Sequence, residues 1–196
     1  MVADTSVLER SARGDRSAFA ELWRIYHPAL LRYLRARAVS SAEDVASNVW
    51  IDVGSSISRF VGDGDDFRRW LFTIAHRRSV DELRRTTRRR EVAEAPTHDD
   101  WSIDRRVHGD VTDGADVAFE AGASLDRAIE LIRRLPAEMA EAVMLRIVND
   151  LSYADVAEIL GTSEGNVRVL VHRGLRSLRS KIVVTNSDGS SMYKVS

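Results

Sequence analysis

Leu151-Ser152-Tyr153-Ala154-Asp155-Val156-Ala157-Glu158-Ile159-Leu160-Gly161-Thr162-Ser163-Glu164-Gly165-Asn166-Val167-Arg168 carries two helix starts and one helix stop within eighteen residues. Ser152 is placed to cap a short helix whose inner face Ala154 and Ala157 keep small. Gly161 supplies the left-handed residue that ends it, and Ser163 is placed to cap a second helix. A small inner face and a glycine turn let two helices cross closely at a steep angle, so the spacing predicts a helix-turn-helix over 153–172. On a helical wheel of the second helix, Val167, Leu170, Val171, Gly174 and Leu178 gather on one side. Gly165, Arg168, His172, Arg176 and Arg179 gather on the other, with Arg173 at its border. An exposed basic face on the second helix of such a unit suits the major groove of DNA.

Helical periodicity continues in both directions from this unit. Upstream, Ser124 opens a pattern of Leu125, Ile129, Leu131, Ile132 and Leu135, and Pro136 starts a further helix with Met139, Val143, Met144 and Ile147. Earlier still, Phe19, Leu22, Trp23, Tyr26, Leu30, Leu31 and Leu34 recur at spacings of three and four, with Pro28 expected to bend or interrupt the helix. Ser41 and Asp44 read as a capping pair ahead of Val45, Val49, Ile51, Val53 and Ile57. After the turn Gly62-Asp63-Gly64-Asp65-Asp66 comes Phe67, Trp70, Leu71, Ile74, Val80 and Leu83, again helical in period. No strand pattern competes. The expected fold is all-α: a domain of three or four helices over 1–90, a flexible acidic linker over 91–123 with no more than a short helical turn near Trp101 or Phe119, a helix-turn-helix domain over 124–184 and a disordered tail over 185–196.

The chain has 196 residues and a net charge of −1, which hides three blocks of alternating sign. Phe67 to Arg90 holds nine arginines against Asp81 and Glu82; Glu91 to Glu130 holds eleven acids against three arginines; Gly165 to Lys181 holds five basic residues and no acid. Basic clusters of this density are candidate phosphate contacts. There is no cysteine, so disulfides, thiol catalysis and Cys-ligated zinc are excluded. There is no P-loop, no G-x-S-x-G and no H-E-x-x-H, and the five histidines have no metal-ligand spacing. The expectation is a cytoplasmic protein that is not an enzyme, with no cofactor, no metal, no small-molecule substrate and no membrane insertion, since no apolar run approaches the length of a span. Met1 to Ser17 is cut by charges and does not read as a signal peptide.

Two further patterns lie in the first ninety residues. Trp70-Leu71-Phe72-Thr73-Ile74-Ala75-His76-Arg77-Arg78 interleaves aromatic rings with arginines, a combination that suits single-stranded DNA, although Trp70 and Ile74 also fit a core. Asp44, Asn48 and Asp52 recur every four residues beside Val45, Val49 and Trp50, and an acidic stripe next to an exposed aromatic suits docking on a basic partner helix.

Together these pieces resemble the sigma factors of the sigma-70 family, specifically the extracytoplasmic-function (ECF) group. Ala42-Glu43-Asp44-Val45-Ala46-Ser47-Asn48-Val49-Trp50 is similar to the family's polymerase-binding motif. Phe67-Arg68-Arg69-Trp70-Leu71-Phe72-Thr73-Ile74-Ala75, continued by Asp81-Glu82-Leu83-Arg84-Arg85, is similar to its promoter-melting and −10-reading helix. Leu135-Pro136, Leu151 to Ala157 and Val167-Arg168 are similar to its −35-reading domain. The chain departs from the family where Arg78 stands at a usual asparagine and Gly54 at a usual helix former.

The resemblance implies a chain that binds core RNA polymerase and directs promoter-specific initiation. Residues 44–57, with Asp44, Asn48, Val49 and Asp52, would meet the clamp of the largest subunit. Phe60, Asp66, Phe67, Trp70, Thr73, His76, Arg77, Arg78, Arg84 and Arg85 would melt and read −10 promoter DNA. Ser163, Glu164, Asn166, Arg168, His172, Arg173 and Arg176 would read the −35 element. The acidic linker would thread toward the polymerase's RNA path, and an anti-sigma factor would be the controlling partner. An ordinary regulator that binds duplex DNA unaided is the alternative, distinguished by not depending on polymerase.

Overall fold

A computed structural model describes residues 3–37, 39, 41–93 and 116–188. The linker segment 94–115 and the tail segment 189–196 lie outside the described residues. Eight α-helices carry the fold, and no strand occurs among the described residues. The first four are α1 (Thr5–Ala12), α2 (Arg16–Ala36), α3 (Ala42–Ser56) and α4 (Gly64–Ala93), with a 3₁₀ turn at Ile57–Arg59. The rest are α5 (Asp116–Arg133), α6 (Ala137–Val143), α7 (Tyr153–Leu160) and α8 (Glu164–Asp188). Helix α6 passes into one π-helical turn, Met144–Val148.

Short acidic or hydroxyl side chains start the helices. Asp4 accepts from the amide of Ser6, Asp15 from those of Ser17 and Ala18, and Ser41 from that of Asp44, as the Ser41–Asp44 pairing predicted. Asp63 accepts from the amides of Asp65 and Asp66 while Asp66 accepts in return from the amide of Asp63, so the acidic turn is the cap of α4.

Helix α2 continues through Pro28, so the interruption expected as one alternative does not occur. A proline inside a helix costs about 3 kcal/mol. Leu22, Tyr26, Leu30, Tyr33 and Leu34 are buried on both sides of it, and that packing outweighs the lost hydrogen bond. Helix α5 begins at Asp116, well inside the segment assigned to the linker. Ala118, Ala121 and Ala123 are strong helix formers, and an acid at the first position suits the positive end of the helix. Neither effect shows as apolar periodicity. Helix α8 likewise continues to Asp188, past the expected domain end at 184.

The N-terminal core packs Leu22, Leu30, Tyr33 and Leu34 of α2 against Val49 and Val53 of α3 and Phe67, Leu71 and Phe72 of α4. The Tyr26 hydroxyl donates to the Gly64 carbonyl and accepts from the Ala3 amide, tying the chain start to the head of α4. In the C-terminal half, Val143, Met144 and Leu145 meet Val156 and Ile159 of α7 and Val167 and Val171 of α8. Gly174 lets α8 approach α6, because a Cβ there would lie 2.7 Å from a methyl of Val143. Helix propensity alone favours alanine over glycine by roughly 1 kcal/mol. Overpacking a filled core costs about 1–3 kcal/mol. The Gly174→Ala variant is therefore expected to be less stable than the parent by about 1 kcal/mol in urea unfolding, and a gain in stability would refute this packing account.

The two halves touch. Glu141 of α6 points into the N-terminal half, where Oε1 accepts from the Tyr33 hydroxyl (2.6 Å) and from His76 Nδ1 (2.7 Å) and pairs with the Arg37 guanidinium. Arg69 of α4 reaches Glu158 (3.0 Å) and Asp155 (3.6 Å) of α7.

Candidate nucleic-acid interfaces

The helix-turn-helix forms as its capping residues dictate. Ser152 and Asp155 make a reciprocal capping box at the start of α7. Gly161 adopts φ 64° and ψ 38°, the left-handed conformation that glycine takes without steric penalty. The Ser163 hydroxyl accepts from the Asn166 amide, and the Asn166 side chain donates to Thr162. Val167, Leu170, Val171 and Gly174 of α8 face the core, while Arg168, His172, Arg173, Arg176 and Arg179 face outward. The predicted division of faces holds. Ser163 and Asn166 are engaged in the turn itself, so their first role in this geometry is to position the helix.

Arg168 is more constrained than a solvated arginine. Its guanidinium lies over the Tyr153 ring at 4.4 Å and pairs with Glu164 at 3.0 Å. Arg146 lies over the same ring at 4.9 Å. Tyr153 thus orients two cations, a role the sequence reading did not assign to it. Its only signal in the sequence is an aromatic residue at the first turn of α7, fifteen residues before Arg168.

The second site forms where the 3₁₀ turn meets α4. Phe60 stacks on Trp70 with centroids 5.2 Å apart at 27°, and Phe67 meets both rings edge-on. Ser56, Arg59, Phe60, Val61, Asp66, Arg69 and Trp70 line an open pocket of about 480 Å³. A planar base of nucleotide size fits such a hollow between an aromatic face and two guanidiniums. Trp70 is half-buried, so it serves the core and the pocket wall together. Further along α4, Arg84, Arg85, Arg88 and Arg89 line a shallow basic groove with Asp81. Arg88 and Arg89 were counted in the charge block but not singled out; the groove adds them to Arg84 and Arg85.

Other residues assigned to the sites lie elsewhere. Phe67 and Val49 are fully buried and cannot touch a partner while the fold is intact; they hold the pocket and α3 from behind. Trp50, read as an exposed aromatic, is 7% exposed and donates through its indole nitrogen to His27 Nδ1. Both errors have one cause: positions that flank a polar stripe on a helix also border its core face. Asp44 and Asn48 are exposed as expected, joined by Ile51 at 66% exposure. Asp52 is held in a bidentate pair with Arg78 (2.5 and 2.6 Å), so a residue assigned to polymerase and one assigned to DNA engage each other. That pair raises the Arg78 pKa. Thr73 donates to the Arg69 carbonyl, and Arg77 is exposed.

His76 faces α6 rather than a nucleic-acid surface. Burial, with help from the Arg37 and Arg77 guanidiniums, lowers its pKa to about 4. The neighbouring Glu141 carboxylate pulls the other way but is already neutralised by Arg37. The imidazole is therefore neutral and donates through Nδ1 to Glu141. The folded pKa lies below the ordinary 6.5, so its contribution to stability is complete above pH 6.5 and is lost as pH falls toward 4. Urea midpoints at pH 7 and pH 5 should differ more for the parent than for His76→Gln. Equal differences in the two proteins would remove His76 from the account.

Among the described residues no group of acidic or histidine side chains could hold a metal ion, and no helix is long and apolar enough to cross a membrane. Two family models match: Sigma-70 region 2 over residues 22–89 and Sigma-70 region 4 over residues 125–178. The chain is 32% identical over 184 residues to the ECF RNA polymerase sigma factor SigD of Mycobacterium tuberculosis, covering 91% of this chain and 83% of that protein. It is 29% identical over 174 residues to the ECF RNA polymerase sigma factor BldN of Streptomyces coelicolor, covering 88% of this chain and 63% of that one. Its fold is similar to that of the sigma factor RpoE of Bartonella quintana, solved with the anti-sigma factor NepR. The TM-score is 0.63 at 21% identity, covering 85% of this chain and 97% of that one.

Proposed function

The chain belongs to the ECF group of sigma-70 family RNA polymerase sigma factors, and from that premise we propose that it recruits core polymerase to promoters read at two separate elements. The outward face of α8 reads the −35 element in the major groove. The pocket of Phe60, Arg69 and Trp70 captures an unpaired base of the −10 element, while Arg84, Arg85, Arg88 and Arg89 follow the backbone. The exposed stripe Asp44, Asn48 and Ile51 docks on the clamp of the polymerase's largest subunit, and an anti-sigma factor restrains the chain when its promoters are silent. The protein supplies binding and positioning, and the polymerase supplies the chemistry.

One observation carries this reading best: among the described residues there are two exposed arginine-rich surfaces on different helices, and the N-terminal one adjoins a pocket walled by Phe60 and Trp70. Duplex binding needs a basic helix face; strand capture also needs a ring on which a base can stack. A duplex-binding regulator would have no use for the second feature.

The test is co-elution of the purified chain with bacterial core polymerase at moderate salt. Stoichiometric co-elution is expected, and the Asp44→Ala/Asn48→Ala double variant should bind core about tenfold more weakly, because two exposed polar contacts are removed without touching the core. Unaided binding to duplex DNA without any affinity for polymerase would favour the stand-alone regulator.

A further inference from the structure

Helix α8 turns toward solvent two residues that weaken a helix. Gly165 and Val169 are four positions apart, so they lie one above the other on the outward face. Glycine is a poor helix former, and a β-branched valine is worse than any straight-chain side chain. The fold demands neither. A Cβ at position 165 would meet nothing nearer than the Ser163 hydroxyl, at an ordinary 3.9 Å, whereas one at Gly174 on the inner face would lie 2.7 Å from a methyl of Val143. Val167, Leu170 and Val171 fill the core side of the helix, but Val169 is 43% exposed. Among the described outward residues of the first three turns, Glu164, Gly165, Asn166, Arg168, Val169, His172 and Arg173, it carries the single apolar side chain.

Its neighbour is already set in place. Arg168 lies over the Tyr153 ring at 4.4 Å and pairs with Glu164 at 3.0 Å. A valine on a helix keeps essentially one rotamer, so its two methyls are as fixed as that guanidinium. The outward face therefore presents a fork of donors and, beside it, a small rigid apolar knob. In the major groove guanine shows two acceptors to such a fork, and thymine alone shows a methyl group. Against the amino or carbonyl edge of another base the valine would displace water and return no hydrogen bond. Successive residues lie on neighbouring lines of the helix, and a base pair rises about 3.4 Å, so the base met by Val169 falls within about two steps of the one met by Arg168.

We propose that Val169 is a specificity-determining residue of the −35 face, which reads the methyl group of a thymine within about two base steps of the guanine met by Arg168, and that the bare backbone at Gly165 lets the bases come close enough for so short a side chain to reach. The inference rests on the −35 reading of α8. It assigns a second readout chemistry to that face: one position is selected by hydrogen bonds and a neighbouring one by apolar contact.

The test uses holoenzyme assembled from the full chain and bacterial core polymerase, with promoter duplexes randomised across both elements. Binding selection should enrich a guanine whose preference disappears in Arg168→Ala, with a thymine within two base steps of it. Uracil in place of that thymine deletes only the methyl and should weaken binding by about fourfold, the worth of one buried methyl. In Val169→Ser, an exposed change that opens no cavity, thymine and uracil should bind alike. Gly165→Gln should raise the unfolding temperature, because it improves the helix, and yet weaken the selected duplex about tenfold by holding the bases off. Discrimination against uracil that persists in Val169→Ser overturns the proposal, as does an Arg168-dependent guanine with no thymine near it. Unchanged binding by Gly165→Gln overturns the role of the bare backbone. Failure to enrich any base that depends on Arg168 removes the −35 reading of α8 itself, and the inference falls with it.

Discussion

Replacing Arg168 by alanine should lower transcription from promoters that depend on a −35 element by about 10-fold to 100-fold, the worth of a well-placed arginine–guanine contact of about 1–3 kcal/mol. Affinity for core polymerase should stay the same. The residue projects from the face of α8 opposite Val167, Leu170 and Val171, so its loss opens no cavity. Its position is fixed before DNA arrives by the Tyr153 ring at 4.4 Å and by Glu164 at 3.0 Å. A guanidinium stacked on a ring loses less freedom on binding than one hanging in solvent. Tyr153→Leu should therefore reproduce part of the defect by freeing Arg168, with a smaller effect on non-specific DNA binding. Titration of −35 and scrambled duplexes against holoenzyme separates the two effects. An equal loss on both sequences would make Arg168 a phosphate contact and refute its reading role.

The helix-turn-helix was legible because its boundaries are written in local chemistry. Ser152, Asp155, Gly161 and Ser163 act on their own neighbours within a few residues, and such signals survive any tertiary context. The basic pocket region was legible as a composition of rings and arginines. The division of labour within it was not, because Phe60, Phe67 and Trp70 have the same chemistry and differ only in which ring is covered. The domain junction left no trace in the sequence. Glu141 lies 108 residues from Tyr33 and 65 from His76, and a glutamate flanked by alanines, three residues after Glu138, reads as part of a solvated face. The assignment of His76 to DNA failed for that reason. Asp52 and Arg78 met the same limit: each fitted a linear motif, and only folding showed that they complete each other.

The pocket carries the other large effect. Phe60→Ala and Trp70→Ala should each slow promoter opening by about 10-fold to 100-fold, since stacking of one base on one ring is worth about 1–3 kcal/mol. The two rings stack on each other at 5.2 Å, so either truncation also unsettles the other, and the double variant should cost less than the two single losses combined. Trp70 is half-buried against the core, and its removal costs stability as well. Phe60 therefore gives the cleaner measurement, because it ends the 3₁₀ turn at the pocket rim and packs only partly on the core. On the proposed reading closed-complex formation depends on α8 and the polymerase stripe, so it should persist in Phe60→Ala while strand opening, followed by a fluorescent base in the non-template strand, becomes slow. A template already mismatched across the −10 element has its bases unpaired and spares the cost of melting them, but a flipped base still gains from the ring. Mismatch should consequently rescue the variant in part. Full rescue would assign Phe60 to melting alone. No rescue, with closed complexes intact, would remove the pocket from base capture and leave it a structural hollow.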